Sequence, residues 1–417
     1  TFEILLFAYS FDDEPVEVID MTKDPLPERV VDALYNKEIT KTAFNAAFEM
    51  LCLKKYYPDA DYTNWECTSV LALYCSLPAS LDNVSKALKL GEAKDSRGKR
   101  LIQFFSVPRK PTKTNPKTRN MPEDAPEKWA EYIEYNRQDV VSERAIRQKL
   151  SRFPVYEKEQ PLWIHDQHIN DRGVGVDLNL AEHAVEIDAV IKARLLEQAK
   201  ELTGLENPKS TAQLKGWIED TAGIEVESLN KKSIAGVRAD ADCDAVDRML
   251  DIRAGLAKTS TEKYNAMLRT ACPDGRIRGL TQFYGAARTG RWAGRLVQMQ
   301  NLPQNKMPDR DLDTARQLVE AGDLETLEML FDDISGTLSQ LIRTAFIPRP
   351  GYRFIVSDFS AIEARVIAWL ASEEWRMEVF KTHGKIYEAS AEQMFHLPKG
   401  SVKKGDVVKA VVVRTAK

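Results

Sequence analysis

The sequence predicts a multidomain α/β protein with a helical middle region. At 417 residues the chain is longer than one ordinary domain, so about two or three domains are expected. Strand patterns alternate with helix patterns up to residue 150, helix patterns dominate from Glu157 to Cys272, and strand patterns return after residue 276. We therefore predict domains over 1–152, 153–275 and 276–417.

The first domain should contain both strands and helices. Two apolar runs, Ile4 to Phe11 and Val16 to Ile19, are joined by a polar turn and indicate two strands. Residues 42–56 and 127–150 have helical periodicity. The Pro-, Lys- and Thr-rich stretch 106–126 that precedes the second helix predicts a loop.

Amphipathic helices are predicted along the middle of the chain. The apolar spacing favours helices over Leu180 to Leu202, Thr211 to Thr221 and Asp244 to Leu268. A strongly acidic segment, Asp309 to Asp333, follows later, and we expect it to form an exposed helical insertion.

Composition excludes several classes of protein. A hydrophobic content of 43% with 29% charged residues is that of a soluble globular chain. No run of 18 apolar residues is present, so a membrane partner is not expected. The five cysteines form no Cys-x-x-Cys pair, and no secretory leader pattern precedes them. We therefore expect reduced thiols in a cytoplasmic protein.

Local charge is more informative than the net charge of −4. Residues 276–306 contain six Arg or Lys and no acid, and residues 91–120 contain nine Arg or Lys against two acids. Basic stretches within an acidic protein are typical of a groove that follows phosphates. A solvated surface is the alternative interpretation of either stretch.

The segment from Tyr352 to Leu370 has the pattern of a cation site. Arg353 to Ser357 reads as a short buried strand, Asp358 stands at its C-terminal end, and an amphipathic helix follows. Ser360 and Glu363 have the spacing of a capping box at the start of that helix. Its buried stripe is expected to consist of Ile362, Val366, Trp369 and Leu370.

Two segments carry motifs whose order and spacing match those of a known family. The first is Ala287-Arg288-Thr289-Gly290-Arg291, followed by Gln298-Met299-Gln300-Asn301-Leu302-Pro303. The second runs from Ile342-Arg343-Thr344-Ala345-Phe346 through Pro350-Gly351 to Asp358, Glu363 and Arg365. Together these segments resemble the family A DNA polymerases, particularly their phage and prophage branch. Gly384-Lys385-Ile386-Tyr387 resembles the approach to the fingers of that family.

The resemblance implies template-directed DNA synthesis on primer–template DNA from dNTPs. Such an enzyme positions two Mg²⁺ ions about 4 Å apart, and Mg²⁺ prefers carboxylate and carbonyl oxygens. Asp358 would be the catalytic ligand of both ions, and the Phe359 carbonyl would be a further ligand. Ser360 and Glu363 would lie beside the nucleotide, with Glu363 as a wall against its 2′ position.

The same resemblance places five side chains on the DNA. Arg291 would contact the minor groove at the primer terminus, where the acceptors shared by all correct pairs allow a test of pair geometry. Gln300 and Asn301 would act on the template side. Arg288 and Arg343 are the other expected DNA contacts. Generic phosphate binding is an equally good account of Arg288 and of Arg295.

Two further motifs resemble those of a 3′–5′ proofreading exonuclease. Phe44-Asn45-Ala46-Ala47-Phe48-Glu49 is similar to the second motif, although the family has histidine and aspartate where this chain has Phe44 and Glu49. Tyr135-Asn136-Arg137-Gln138-Asp139 is similar to the third. Glu49 and Asp139 would bind metal, and Tyr135, one helical turn from Asp139, would orient the attacking water. Alternatively, this domain is a scaffold whose acids are solvated.

The resemblance implies a ribonuclease H-like exonuclease domain without its first strand, a helical thumb-like region and a partial α+β palm. Lys417 would be the fingers lysine that binds the nucleotide, although Val413 stands where an arginine is expected. The first exonuclease motif and the second palm aspartate would lie outside the chain. We therefore expect the chain by itself to be inactive as a polymerase. We also expect it to be a monomer. A non-catalytic DNA-binding module and a stand-alone 3′–5′ nuclease are the alternatives.

Overall fold

Helices make up about half of a mixed α/β structure. The computed structural model describes residues 2–90, 98–112, 116–155, 157–230, 232–259, 261–286 and 288–403. Contacts divide the chain into a large unit that ends at Arg349 and a small unit that begins at Pro350. Within the described ranges, no helix combines the length and the apolar character that crossing a membrane requires.

The N-terminal part of the large unit alternates strands and helices, as predicted. Its elements are β1 (Leu6–Tyr9), β2 (Glu17–Asp20), α1 (Glu28–Tyr35), β3 (Lys41–Ala43), α2 (Ala46–Leu53), β4 (Trp65–Cys67), α3 (Thr68–Tyr74), α4 (Leu81–Ala87), α5 (Gly98–Ser106), a 3₁₀ turn (Pro122–Asp124) and α6 (Pro126–Leu150). Strands β1 and β2 pair antiparallel, whereas β3 and β4 pair in parallel. The helix predicted over residues 42–56 is shorter than expected, because residues 42–43 belong to β3 and only Ala46–Leu53 are helical. A proline at its first position, where the missing N–H costs nothing, begins α6.

The rest of the large unit is mainly helical. Its elements are α7 (Glu159–Arg172), β5 (Val174–Val176), α8 (Leu178–Thr203), α9 (Thr211–Ala222), α10 (Ile234–Ala241), α11 (Asp244–Leu256), α12 (Glu262–Thr270), β6 (Arg276–Ile277), β7 (Thr281–Ala286), β8 (Arg291–Gly294), a 3₁₀ turn (Met299–Asn301), α13 (Asp309–Ala321), α14 (Leu324–Leu330), α15 (Ile334–Leu341), a 3₁₀ turn (Ile342–Ala345) and β9 (Phe346–Ile347). Strand β5 lies between β6 and β9 in a small antiparallel sheet.

Two helix predictions for this region need correction. The single helix expected from Asp244 to Leu268 is two helices, α11 and α12, because the chain turns between them. At that turn the Thr261 hydroxyl donates to the buried Asp188 carboxylate of α8 at 2.9 Å. Residues 309–321 and 324–330 are helical, as expected, but the segment is not an exposed insertion.

The acidic helices contribute to the largest hydrophobic core instead. Ala315 and Val319 of α13 and Leu327 of α14 are fully buried with Leu180 and Ala184 of α8. The acids therefore occupy the outer faces of helices whose inner faces supply apolar contacts, as an amphipathic pattern requires.

The small unit contains three helices in its described part: α16 (Ile362–Leu370), α17 (Glu374–Lys381) and α18 (Ile386–Phe395). The strand predicted over Arg353 to Ser357 is absent there, since residues 352–359 have no regular secondary structure. Ile355 and Val356 are 86% and 90% exposed. An extended segment becomes a stable strand only when a neighbour pairs with its backbone, and no such pairing is formed within the described residues.

The predicted start and burial of α16 were also wrong. Its N-cap is Ala361, with φ +52° and no side-chain cap bond, so Ser360 and Glu363 do not form the capping box. The Ser360 carbonyl instead accepts from Arg365 Nε at 2.8 Å. The stripe formed by Ile362, Val366, Trp369 and Leu370 is between 42% and 69% exposed.

Candidate functional site

The first candidate site is built on the hairpin of β7 and β8. Thr281 pairs with Gly294 and Ala286 with Arg291, and a register shift lies between them. Gly290 in the turn has φ +65°, and a Cβ there would lie 2.9 Å from the Tyr284 ring. A glycine is therefore needed for both the left-handed conformation and the close approach.

The predicted DNA-contacting arginines of this hairpin are exposed. Arg288 lies in the turn, Arg291 begins β8, and Arg295 follows that strand. The basic stretch 276–306 contains a second group of arginines, before the hairpin, whose side chains are bonded within the protein. Arg276 donates from Nε to the Arg172 carbonyl at 2.7 Å, and an ion pair joins Arg278 to an aspartate four residues earlier.

The segment 298–303 lies against the hairpin. A Cβ placed on Gly294 would be 1.8 Å from Gln300 Oε1, so the Gln300 carboxamide packs directly on the β8 backbone. Asn301 Nδ2 donates to Gln298 Oε1 at 3.3 Å. The structure thus brings the predicted template-side residues next to the strand that begins with Arg291.

Arg343 connects the two segments that resemble the polymerase family. Its Nε donates to the Pro303 carbonyl at 2.6 Å, and its Nη2 donates to the Leu302 carbonyl at 2.9 Å. These bonds fix the end of the 298–303 segment against the 3₁₀ turn after α15. This positioning role was not predicted from the sequence.

The second candidate site is a group of acids between α2 and α6. Glu49 lies on α2 and Asp139 on α6. Burial raises the pKa of the Glu49 carboxyl to about 7, and the charges of Glu143 and Asp139 add to the effect. Glu49 Oε2 is buried without a hydrogen-bond partner. The structure therefore brings the two predicted carboxylates within electrostatic reach of each other.

Glu143 is a third acid at this site that sequence reasoning missed. It is 8% exposed and accepts a hydrogen bond from the Thr68 hydroxyl. Burial raises the pKa of its carboxyl, although that hydrogen bond acts in the opposite direction. The available signal was its spacing, since Glu143 lies one helical turn after Asp139 and on the same face of α6.

Tyr135 shares the helix of Asp139, as predicted. Its ring stacks on Tyr132 with centroids 6.4 Å apart. A Cβ placed on Gly98 would lie 2.0 Å from this ring, so the start of α5 covers it closely. The ring therefore belongs to an aromatic cluster that includes Phe105 and Trp129.

The remaining predicted residues lie in the small unit. Asp358, Phe359, Ser360 and Glu363 are all exposed, and the Phe359 carbonyl accepts from the Ile362 N–H at 3.3 Å. Lys417 lies outside the described residues. In the described part of the chain, no three Asp, Glu, His or Cys side chains converge in a group able to hold a metal ion.

Comparison with known proteins gives the family. Residues 179–412 match the DNA polymerase family A. A DNA polymerase of Bacillus phage SP02 is 54% identical over 411 residues, which are 97% of this chain and 62% of that protein. A thermostable DNA polymerase I of Thermus aquaticus is 26% identical over 266 residues, or 59% of this chain and 27% of the relative.

The fold agrees with the sequence match. The structure resembles the POL domain of Pol1 from M. smegmatis, solved in a complex with DNA primer–template and dNTP, with a TM-score of 0.62 and 17% identity. That similarity covers 96% of this chain and 62% of the solved one. The present chain thus spans less than two thirds of the length of its phage relative and of this structural neighbour. It belongs to the family A DNA polymerases.

Proposed function

We propose that this chain is part of a DNA-directed DNA polymerase that extends a primer along a template from dNTPs. The observation that carries the proposal is the exposed arginine hairpin of β7 and β8, with Gln300 packed on its Gly294. The phage relative that is named a DNA polymerase supports it. So does the similarity to a fold that was solved with primer–template and dNTP.

The hairpin would bind duplex DNA along the minor groove. Arg291, exposed at the start of β8, would donate to minor-groove acceptors that are common to all correct base pairs. Arg288 in the adjacent turn would contact phosphates. Gln300 and Asn301 would act on the template strand, and Arg343 would hold their segment in place through its bonds to carbonyls 302 and 303.

A binding experiment with a primer–template duplex tests this assignment. Arg291→Ala should weaken binding by about tenfold and reduce the salt slope of log K by about one. Arg310→Ala, which removes an exposed arginine of α13, is the matched control and should leave the affinity unchanged. Equal affinities of the Arg291 variant and the unmodified chain would refute the proposed interface.

In the small unit, Asp358 and the Phe359 carbonyl are the proposed Mg²⁺ ligands. The carbonyl keeps one lone pair after its bond from Ile362, and Mg²⁺ commonly retains several waters beside one or two carboxylates. Bound Mg²⁺ would stabilise charge on the transferring phosphoryl group. Ser360 and Glu363 would lie beside the nucleotide.

Whether this chain extends a primer by itself is decided by an incorporation assay. We expect the chain to be inactive by itself. When the purified chain is given labelled dNTP on a primer–template with Mg²⁺, no label should be incorporated. Incorporation that disappears in Asp358→Ala would refute the predicted inactivity and support the ligand assignment.

A 3′–5′ proofreading activity is the second proposal, favoured by the grouping of Glu49, Asp139 and Glu143. The buried, unpartnered Oε2 of Glu49 suits a cation-binding role, although the described acids do not form a three-ligand site. The parallel β3–β4 pair, which packs against α2, is compatible with a ribonuclease H-like domain.

Degradation of single-stranded DNA in Mg²⁺ or Mn²⁺ tests the proofreading proposal. Activity should disappear in Asp139→Ala and persist in Glu131→Ala, which changes an exposed acid on the same helix. Degradation that is equal in both variants would identify a contaminating nuclease. No degradation by the unmodified chain would favour a scaffold role for this domain.

We further propose that the chain has three domains, over residues 1–152, 153–275 and 276–417. We also propose that it is a monomer. Limited proteolysis should cut near residues 152 and 275 if the division holds. Light scattering should give the mass of one chain, and a larger mass would refute the monomer.

A further inference from the structure

A buried carboxylate on α7 receives hydrogen bonds from both strands of the arginine hairpin. Asp166 is 2% exposed. Its Oδ1 accepts from the Thr281 hydroxyl at 2.6 Å and from the Trp292 indole N–H at 2.8 Å. Its Oδ2 accepts from Asn170 Nδ2 at 3.2 Å and Gln167 Nε2 at 3.3 Å. All four donors are uncharged, so this carboxylate is held by directed hydrogen bonds.

Asn170, one turn along α7, completes the attachment of β7. The Thr281 N–H donates to Asn170 Oδ1 at 3.0 Å, and Asn170 Nδ2 donates to the Thr281 carbonyl at 3.0 Å. The first residue of β7 is thus bonded through both backbone groups and its hydroxyl. The start of the hairpin has a defined position on α7.

The second strand is attached next to the proposed DNA contact. Trp292 directly follows Arg291, and neighbouring side chains of a strand point to opposite faces. The Trp292 ring packs edge-on against the buried Phe283 with centroids 4.9 Å apart, although Trp292 remains 43% exposed, and Arg291 is also exposed. The bond from the indole to Asp166 therefore selects which face of β8 carries Arg291 outward.

We propose that Asp166 is a positioning residue for DNA binding, which fixes the β7–β8 hairpin on α7 so that Arg291 faces the duplex. The inference rests on the proposed function of Arg291. A rotation of β8 about its axis would break the Asp166–Trp292 bond and turn the guanidinium away from the DNA. Asp166 would act only through this geometry, because its carboxylate is buried.

A double-mutant cycle on primer–template affinity tests the proposal. Asp166→Ala should weaken binding by about tenfold and reduce the salt slope by about one, as Arg291→Ala does. The double variant should bind no more weakly than Arg291→Ala, because one residue acts through the other. Asp171→Asn, on the same helix, is the control and should leave affinity unchanged.

A milder variant covers the case in which Asp166→Ala does not fold. Trp292→Phe keeps an aromatic ring beside Phe283 but replaces the indole, including its N–H donor, with a smaller ring. It should weaken binding several-fold while circular dichroism stays unchanged. Asp166→Asn retains an acceptor for that indole and should restore most of the affinity lost in Asp166→Ala.

The possible failures can be told apart. Normal affinity of folded Asp166→Ala and Trp292→Phe, with Arg291→Ala weakened, would overturn the positioning role and leave the proposed function standing. Additive losses in the double variant would also overturn it. An Arg291→Ala variant that binds normally would overturn the positioning role together with the proposed interface.

Discussion

Replacing Glu49 with glutamine should stabilise the protein at alkaline pH. Burial and two neighbouring acids raise the pKa of the Glu49 carboxyl from 4.5 to about 7. A carboxyl with a raised folded-state pKa contributes stability that is fully present below pH 4.5. That stability is lost as the pH rises through 7. The charge on Glu49 is therefore unfavourable above pH 7, and Glu49→Gln removes it.

The size of the effect follows from the two pKa values. One pKa unit corresponds to about 1.4 kcal/mol, so the ceiling on the loss is about 3 kcal/mol, of which roughly 2.5 kcal/mol falls between pH 5 and 8. Glu49 is only half-buried although its Oε2 is fully covered. Because solvent screens part of the charge, we expect about 1–2 kcal/mol of relative stabilisation.

Urea denaturation at pH 5 and pH 8 in the presence of EDTA measures this difference. The free energy of unfolding of Glu49→Gln minus that of the unmodified protein should be larger at pH 8 than at pH 5. Glu131→Gln, an exposed position on α6, should show no such change between the two pH values. A Glu49→Gln difference that is the same at both pH values would refute the assignment of a buried, destabilising charge.

Three further predictions concern buried bonds and one close contact. Asp61→Asn should lower the free energy of unfolding by about 3–5 kcal/mol at pH 7, which chemical denaturation measures. The reason is that Lys41, only 8% exposed, loses the charged partner that lies 2.8 Å from its Nζ. Tyr264→Phe should lose about 1–2 kcal/mol, as its hydroxyl donates at 2.8 Å to a buried carbonyl of α15, and a fall in Tm checks this. Gly294→Ala should displace the Gln300 carboxamide and weaken primer–template binding several-fold, while Tm changes little. Unchanged affinity would refute the proposal that Gln300 contacts DNA.

Local patterns predicted the two longest helices of the large unit well, because these helices bury apolar side chains within it. Helices α6 and α8 begin and end within two residues of the predicted bounds. The break between α11 and α12 was missed because it depends on a tertiary bond, from Thr261 to Asp188 on α8. Periodicity in a single segment contains no information about such a partner.

The prediction for residues 353–357 failed for a related reason. A run of β-branched and aromatic residues shows only that a segment would suit a half-buried sheet position. Whether it becomes a strand depends on a neighbouring backbone, and the described part of the small unit supplies none. The same absence of a packing partner leaves Trp369 and Leu370 on the exposed face of α16.

Sequence motifs identified side chains that would contact DNA or metal, and the structure adds the residues that hold them. Arg291, Gln300, Glu49 and Asp139 belong to short patterns that can be read in one segment. Asp166, in contrast, lies 126 residues before its indole partner, and no pattern within one segment can reveal such a contact. Three separate parts of the chain, α7, β8 and the 298–303 segment, must therefore fold together before the arginine hairpin presents a defined surface. If so, binding of primer–template should depend on the hydrogen bonds to the buried Asp166 carboxylate as well as on the arginines themselves.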